Sequence, residues 1–412
     1  MFKKIVISFC AFIVCLSVFS MESPKPGDPG WFHILAWGSP ATTPEGLRMM
    51  KECGITIAGF VGSKKILKLV HDAGLVAYAQ HEQGLFGLDW RTADPAIFET
   101  KVKLTADTYK SCPGVYGYVL CDEPPPSYFS RQGEMYRTIK RMAPDKDIYV
   151  NLLPTYAFAT VKEYQAYLDR YVKEYNPKWI GYDFYALMEK SDRLRNDFWL
   201  NLDMIRSKAL EAGIPFHICT LAVGHLDLRV PDKNDLYFEI YSGLLYGAKG
   251  IDIFKYFTPG YGNYREGPVD QFGHKTQTWY NLREVLSTVH VLAPLLNRLK
   301  STEVYHIPVD RMEAGTRGPN GKSLIREIKT WNNNPARYAV GEFADSKGQS
   351  YIMIQNKSLE HSAGIDKIIW KQIPQKVEIV SPFRKNNLRK FAGEARWIAP
   401  GRAIFLKVTF AK

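Results

Sequence analysis

The residues best placed to do chemistry lie in one run, Gly117-Tyr118-Val119-Leu120-Cys121-Asp122-Glu123-Pro124, where two carboxylates close an apolar stretch. Charge at the end of a buried strand is expensive unless something there needs it. Burial at such a place raises the pKa of a carboxyl, as a proton donor working near neutral pH requires. A second carboxylate, Asp183, stands in Gly181-Tyr182-Asp183-Phe184-Tyr185. Asp183 and Tyr185 have the same parity along an extended chain, so both face one side. The bland alternatives are a turn-capping role for Asp122, a helix ion pair for Glu123 and a buried hydrogen-bonding role for Asp183.

These residues need a scaffold, and the sequence supplies one. Eight short, mostly apolar runs follow one another: Trp31–Trp37, Ile55–Val61, Leu75–Gln80, Val115–Cys121, Ile148–Leu152, Trp179–Phe184, Pro215–Leu221 and Ile251–Phe257. Runs of this kind suit a parallel sheet buried on both faces. Helix signals separate them. Ser63 can cap the helix carrying Ile66, Leu67 and Val70, with Gly74 closing it. Asp94-Pro95 opens another, and Thr160 with Glu163 forms a capping box. Further helices span Ser191–Ala212, Asp235–Tyr246 and Thr276–Leu299, the first two stopped by Gly213 and Gly247. Eight strand–helix units in order predict a (β/α)8 TIM barrel over residues 24–300. No Gly-rich phosphate loop follows the first strand, which argues against a doubly wound sheet.

Active sites of such barrels sit at the C-terminal strand ends. The polar and aromatic residues expected there are Trp37, His81, Glu82, Asp122, Glu123, Asn151, Asp183, Tyr185, His225, Asp227, Lys255 and Tyr256.

From residue 301 the pattern changes. Leu324–Thr330, Tyr338–Phe343, Tyr351–Asn356, Val377–Val380 and Ala403–Phe410 read as strands separated by turn signals. They predict a separate C-terminal antiparallel β-sandwich over 301–412. At the other end, Lys3-Lys4, the apolar run Ile5–Phe19 and small Ser20 describe a secretory signal peptide over residues 1–20. Export to a periplasm or the cell exterior follows, with no stable membrane insertion, because the apolar run is too short to span a bilayer.

The remaining features mainly exclude. Cys53, Cys112, Cys121 and Cys219 lack paired spacing, so neither a disulfide scaffold nor a zinc site is expected. His225-Leu226-Asp227 has no third ligand at suitable spacing, and no metal or other cofactor is predicted. There is no Gly-x-Ser-x-Gly elbow for a serine hydrolase. The net charge of +12 suits an acidic partner such as a uronate-bearing or sulfated glycan, but it is spread along the chain. Its densest cluster, Arg384-Lys385 to Arg389-Lys390, comes with no nucleic-acid motif. With 24 Tyr and 9 Trp the chain has aromatic rings to spare for a sugar-binding cleft.

The Asp122-Glu123-Pro124 segment resembles the fourth-strand Asn-Glu-Pro motif of the large clan of (β/α)8 retaining glycosidases, and more closely the Asp-Glu-Pro variant of β-galactosidase-like barrels. Lys51-Glu52-Cys53-Gly54-Ile55-Thr56 looks like the entry to their second strand. Gly247-Ala248-Lys249-Gly250-Ile251 before Phe254-Lys255-Tyr256 is similar to their eighth, and the helix ending Leu292-Ala293-Pro294-Leu295 fits too. The resemblance implies a glycoside hydrolase with Glu123 as general acid/base and Asp122 on a substrate hydroxyl.

The chain departs from that clan on strand seven. Phe216-His217-Ile218-Cys219-Thr220-Leu221-Ala222-Val223 holds no carboxylate where the nucleophile belongs. Asp183 is the nearest substitute, in a segment similar to the sixth-strand Tyr-Asp motif of chitinase-like barrels, where the substrate's acetamido group is the nucleophile. Their fourth-strand acidic repeat is absent, with Val119 and Cys121 in its place. The expectation is therefore an exported hydrolase of O-glycosidic bonds with Glu123 and Asp183 catalytic. Asp122, Trp37, His81, Asn151, Tyr185 and Tyr256 would line the sugar subsites. A catalytically silent glycan-binding barrel and a substrate-assisted, chitinase-like hydrolase are the alternatives.

Overall fold

The computed structural model describes residues 24–81, 83–85, 87–189, 194–331, 335–383 and 388–411. The leader over 1–20, Glu82, Ser191 and the 384–387 part of the basic cluster lie outside them, and the sixth helix, expected from Ser191, begins only at Phe198 after non-helical residues 194–197.

Eight parallel strands close a barrel: β1 (His33–Ala36), β2 (Ile57–Val61), β3 (Val76–Ala79), β4 (Val115–Asp122), β5 (Asp147–Leu152), β6 (Ile180–Asp183), β7 (Phe216–Leu221) and β9 (Gly250–Phe254). β9 pairs with both β7 and β1, closing the ring. Two short strands, β8 (Gly224–His225) and β10 (Tyr264–Arg265), form an antiparallel ribbon between the loops after β7 and β9. The helices are α1 (Pro44–Cys53), α2 (Lys64–Asp72), α3 (Phe98–Tyr109), α4 (Phe129–Met142), α5 (Val161–Tyr175), α6 (Phe198–Ala212), α7 (Lys233–Tyr246) and α8 (Gln277–Leu296).

The sequence signals act as physical devices. Ser63 accepts from the Ile66 N–H at 3.5 Å, and Thr160 and Glu163 satisfy each other's backbone at 3.2 and 3.0 Å. Gly213 and Gly247 end α6 and α7 in the left-handed conformation. The last helix stops at Leu296 rather than Leu299, since the chain must turn there into the next strand.

Strand parity divides the barrel core. Ile34 and Ala36 pack outward with the helices, whereas Leu35, Ile57, Tyr78, Val119, Tyr149 and Trp179 form an inner cluster. That interior is also polar. Tyr149 Oη donates to Asp252 at 3.1 Å, and His33 Nε2 lies 3.1 Å from the same carboxylate. Tyr78 Oη and Trp179 Nε1 donate to Asp147 at 2.6 and 3.0 Å. Burial drives Asp252 up to about 7 and His33 down to about 4.

The C-terminal region is an antiparallel sandwich. One sheet orders β11 (Lys300–Ile307), β13 (Tyr338–Ala344), β14 (Ser350–Asn356), β19 (Ala403–Thr409), β16 (Lys376–Val380) and β17 (Leu388–Lys390). The other holds β12 (Ile325–Thr330), β15 (Ala363–Trp370) and β18 (Trp397–Ile398). Between them pack Tyr305, Val340, Ile352, Ile354, Ile365 and Leu406. The other face of the large sheet brings Ala339, Phe343, Tyr351 and Met353 into the barrel's core cluster. Every residue of α7 from Asp235 to Tyr246 is buried, as expected of a helix sandwiched between two layers. Among the described residues no helix is long and apolar enough to cross a membrane.

Candidate active site

β4 ends at Asp122, and Glu123 turns out of the strand with φ 46°. A left-handed backbone costs a non-glycine residue about 1–2 kcal/mol. The chain holds it there by a hydrogen bond from the Glu123 N–H to the Asn151 carbonyl at 2.8 Å. Both Asp122 and Glu123 are exposed at the mouth. The burial expected of Glu123 belongs instead to Asp183, because the φ reversal at Glu123 lifts its side chain off the strand.

Asp183, at the end of β6, is 5% exposed, and its carboxyl lies within hydrogen-bonding reach of the Glu123 carboxyl. Burial, followed by the neighbouring charges of Glu123 and Asp122, holds Asp183 well above the usual carboxylate range. The pair therefore keeps one proton to higher pH than a lone carboxyl does. Asn151 Nδ2 donates to Asp122 at 3.1 Å. Desolvation nevertheless pushes Asp122 up to about 6. Three carboxyls from β4 and β6, with a β5 amide between them, make one acidic wall.

The opposite wall is aromatic and basic. Trp37 meets Phe254 edge-on at 5.2 Å, and Tyr185 meets Phe254 at 5.2 Å from the other side. Lys255 Nζ lies 5.3 Å from the Trp37 ring centre, 5.9 Å from that of Phe254 and 5.5 Å from that of Tyr264. His225 stacks on Tyr264 at 4.1 Å, bringing the β8–β10 ribbon over this side. From β7, Cys219 Sγ lies 3.8 Å from Tyr185 Oη. Burial holds the Cys219 thiol well above its ordinary range, so it supplies no thiolate.

Trp37, Asp122, Glu123, Asn151, Asp183 and Tyr185 thus come together. Tyr256 does not. It is fully buried and accepts from Trp279 Nε1 at 2.9 Å, because the turn after β9 sends Lys255 to the mouth and Tyr256 outward to α8. His81 is also drawn away, its Nε2 lying 3.2 Å from Thr108 Oγ1 on α3. Two mouth residues were not singled out by sequence. Tyr156, in the turn after β5, carries the Arg195 guanidinium over its ring at 4.5 Å. Arg195 donates to the Tyr185 carbonyl at 3.0 Å. Strand-end position was the only signal for Tyr156, and Arg195 falls within the helix expected over Ser191–Ala212 but precedes the start of α6 at Phe198. Among the described residues no group of three or more His, Cys, Asp or Glu is arranged to hold a metal ion.

No family model matches the chain, and no curated protein matches it in sequence. Its solved structural neighbours include glycoside hydrolases. A glycoside hydrolase family 5 structure from Bacteroides vulgatus ATCC 8482 matches with TM-score 0.52 at 12% identity, over 92% of this chain and 89% of that one. A structure described as a glycoside hydrolase matches with TM-score 0.51 at 12% identity, over 92% and 93%. The β-galactosidase of the psychrophilic Marinomonas ef1 matches over 64% of this chain with TM-score 0.49 and 11% identity, and the chain spans 60% of that protein. At these identities the likeness is one of fold.

Proposed function

We propose that the chain is an exported glycoside hydrolase that cleaves O-glycosidic bonds in an oligo- or polysaccharide, with Glu123 as general acid/base. The observation that carries this reading is the contact between exposed Glu123 and buried Asp183. Glycoside cleavage needs a protonated carboxyl at the leaving oxygen. The pair keeps such a proton, and Glu123 is its solvent-facing member. In the bond-breaking step Glu123 gives the proton to the glycosidic oxygen. Water then adds to the anomeric carbon and returns a proton to Glu123.

Asp183 fits a positioning role better than a nucleophilic one. Paired carboxyls flanking a scissile bond stand about 5–5.5 Å apart in retaining enzymes and roughly 6.5–9.5 Å apart in inverting ones. Direct contact with Glu123 leaves no room for an anomeric carbon between the two. Asp122 stays on the same wall for a substrate hydroxyl. Trp37 and Tyr185 offer rings for the sugar faces opposite. The bare end of β7 favours a second reading, attack by a group of the substrate itself. It is also what favours a barrel that binds glycans without cleaving them. Export rests on the leader over residues 1–20.

The test is hydrolysis of a broad glycan panel by the mature protein and by Glu123→Gln. Release of sugar that the folded variant loses supports the hydrolase, and the products show whether an acetamido sugar is required. Binding without release by either protein replaces it with the glycan-binding reading.

A further inference from the structure

We infer that Lys255 is a substrate-binding residue that selects glycans bearing an anionic substituent, a carboxylate or a sulfate, beside the scissile bond. The inference rests on the proposed glycan site and deepens it. Lys255 follows β9 and is half-buried. Among the described residues no carboxylate pairs with it, whereas its neighbour Arg265 lies 3.5 Å from Glu189. What surrounds the Lys255 ammonium is aromatic: Trp37, Phe254 and Tyr264. Rings stabilise a cation by their quadrupoles but accept none of its three N–H donors as a carboxylate does. The ammonium is thus held in place with its hydrogen bonds to spare.

Its position gives the charge a purpose. Lys255 reaches the mouth past Gly38, where a Cβ would come within 3.1 Å of Lys255 Cε. Gly38 also has φ 105°, a conformation that favours glycine. Through Phe254 the lysine adjoins Tyr185, and through Tyr185 the Asp183–Glu123 pair. An anionic glycan meeting the three carboxyls of β4 and β6 would be repelled by that wall. Lys255, left without a carboxylate partner among the described residues, supplies the opposite field. A cation there orients the sugar with its anionic substituent away from Glu123 and its glycosidic oxygen toward it. Burial among the rings lowers the Lys255 pKa. The ammonium thus gains most from a bound anion.

Binding is the readout, so it stands apart from turnover. Calorimetry on Glu123→Gln with polygalacturonate, chondroitin sulfate and neutral galactan is compared with the same protein carrying Lys255→Met or Lys255→Arg. We expect tighter binding of polygalacturonate or chondroitin sulfate than of galactan. Lys255→Met should weaken that binding about 10- to 100-fold, the range of a charge-assisted hydrogen bond, and leave galactan unchanged. Lys255→Arg should keep the preference, and circular dichroism checks the fold of both. Polygalacturonate carries carboxylates alone and chondroitin sulfate both groups, so Lys255-dependent binding of polygalacturonate points to carboxylate, and dependence for chondroitin sulfate alone points to sulfate. Equal loss for charged and neutral glycans, or no preference for either anionic polymer, overturns the inference. Sugar release with no Lys255-dependent charge preference sinks it while leaving the hydrolase reading intact. Lys255-dependent binding without release by the native protein upholds it and sinks that reading.

Discussion

Asp183 and Glu123 meet carboxyl to carboxyl, one buried at the end of β6 and the other exposed beyond β4. Two carboxylates in contact cannot both ionise cheaply, so the second proton leaves late. Only Glu123 can offer that proton to a substrate, because Asp183 is enclosed.

Glu123→Gln should therefore reduce kcat by about 10²–10⁴, the range for a lost general acid. Asp183→Asn should act differently. The amide of that variant cannot hold a proton, and Asp183 is the member whose burial keeps the shared proton on, so the site surrenders its proton earlier. Activity that needs the protonated form is lost as pH rises. The alkaline limb of kcat should move to lower pH in Asp183→Asn. A kcat profile that merely drops in height, with its limb unmoved, would falsify the proton-sharing role.

Asn151 controls the third carboxyl of that wall. Its Nδ2 lies 3.1 Å from Asp122 and pulls the Asp122 pKa down, against the desolvation that sets it at about 6. Asn151→Ala removes the donor and keeps the backbone carbonyl that holds the Glu123 N–H. Asp122 should then titrate above about 6, as followed by its carboxyl carbon resonance. An unchanged or lower value would mean that the amide does not govern Asp122.

Much of this arrangement was legible in the sequence. All eight barrel strands are where their apolar runs place them, because a buried parallel strand leaves little choice of residue. β11 and β15 were not assigned. Lys300-Ser301-Thr302-Glu303 opens β11 with polar residues, and Ala363–Trp370 interrupts its apolar positions with Asp366-Lys367. Both strands are specified by the sheets they join rather than by their own pattern. At the site, β-strand parity put Asp183 and Tyr185 together at the mouth. The same rule failed at Tyr256, since β9 ends at Phe254 and the turn resets the alternation. The carboxyl contact itself was hidden, because it depends on the reversed φ of Glu123.

Glu239 gives a stability signature separate from activity. It is buried on α7 and accepts from Thr220 Oγ1 at 2.6 Å and the Leu221 N–H at 3.1 Å. Burial still pushes it up to about 8. Unfolded, a glutamate ionises near 4.3. Between these values the folded state holds a proton that the unfolded state has lost, so this group's contribution to stability falls as pH rises and levels off above about 8. His33 works in the opposite direction, but only between about 4 and its ordinary value of 6.5. From pH 6.5 to 8 the midpoint of thermal unfolding should therefore drop with pH. Glu239→Gln, which keeps the acceptor oxygen, should flatten that drop. An identical slope in the variant would show that Glu239 is ionised in the fold.

The junction between barrel and sandwich turns on one amide. Gln355 of β14 is fully buried and donates to the Phe238 carbonyl at 2.9 Å and the Gly401 carbonyl at 3.0 Å. Its Oε1 accepts from Ser242 of α7 at 3.0 Å. Gln355→Leu nearly preserves the volume but strands two carbonyls and a hydroxyl in a place water does not reach. Each such group costs about 1–3 kcal/mol, and partial relaxation should leave a net loss of roughly 2–5 kcal/mol. Because Gln355 ties α7 to both β14 and the turn at Gly401, the loss should fall on the joint rather than on either part. Chemical denaturation followed by tryptophan fluorescence should show the native protein unfolding in one transition and Gln355→Leu unfolding earlier, with the sandwich separating first. An undiminished midpoint would mean that apolar packing of Ala339, Phe343 and Met353 against the barrel holds the joint without the amide.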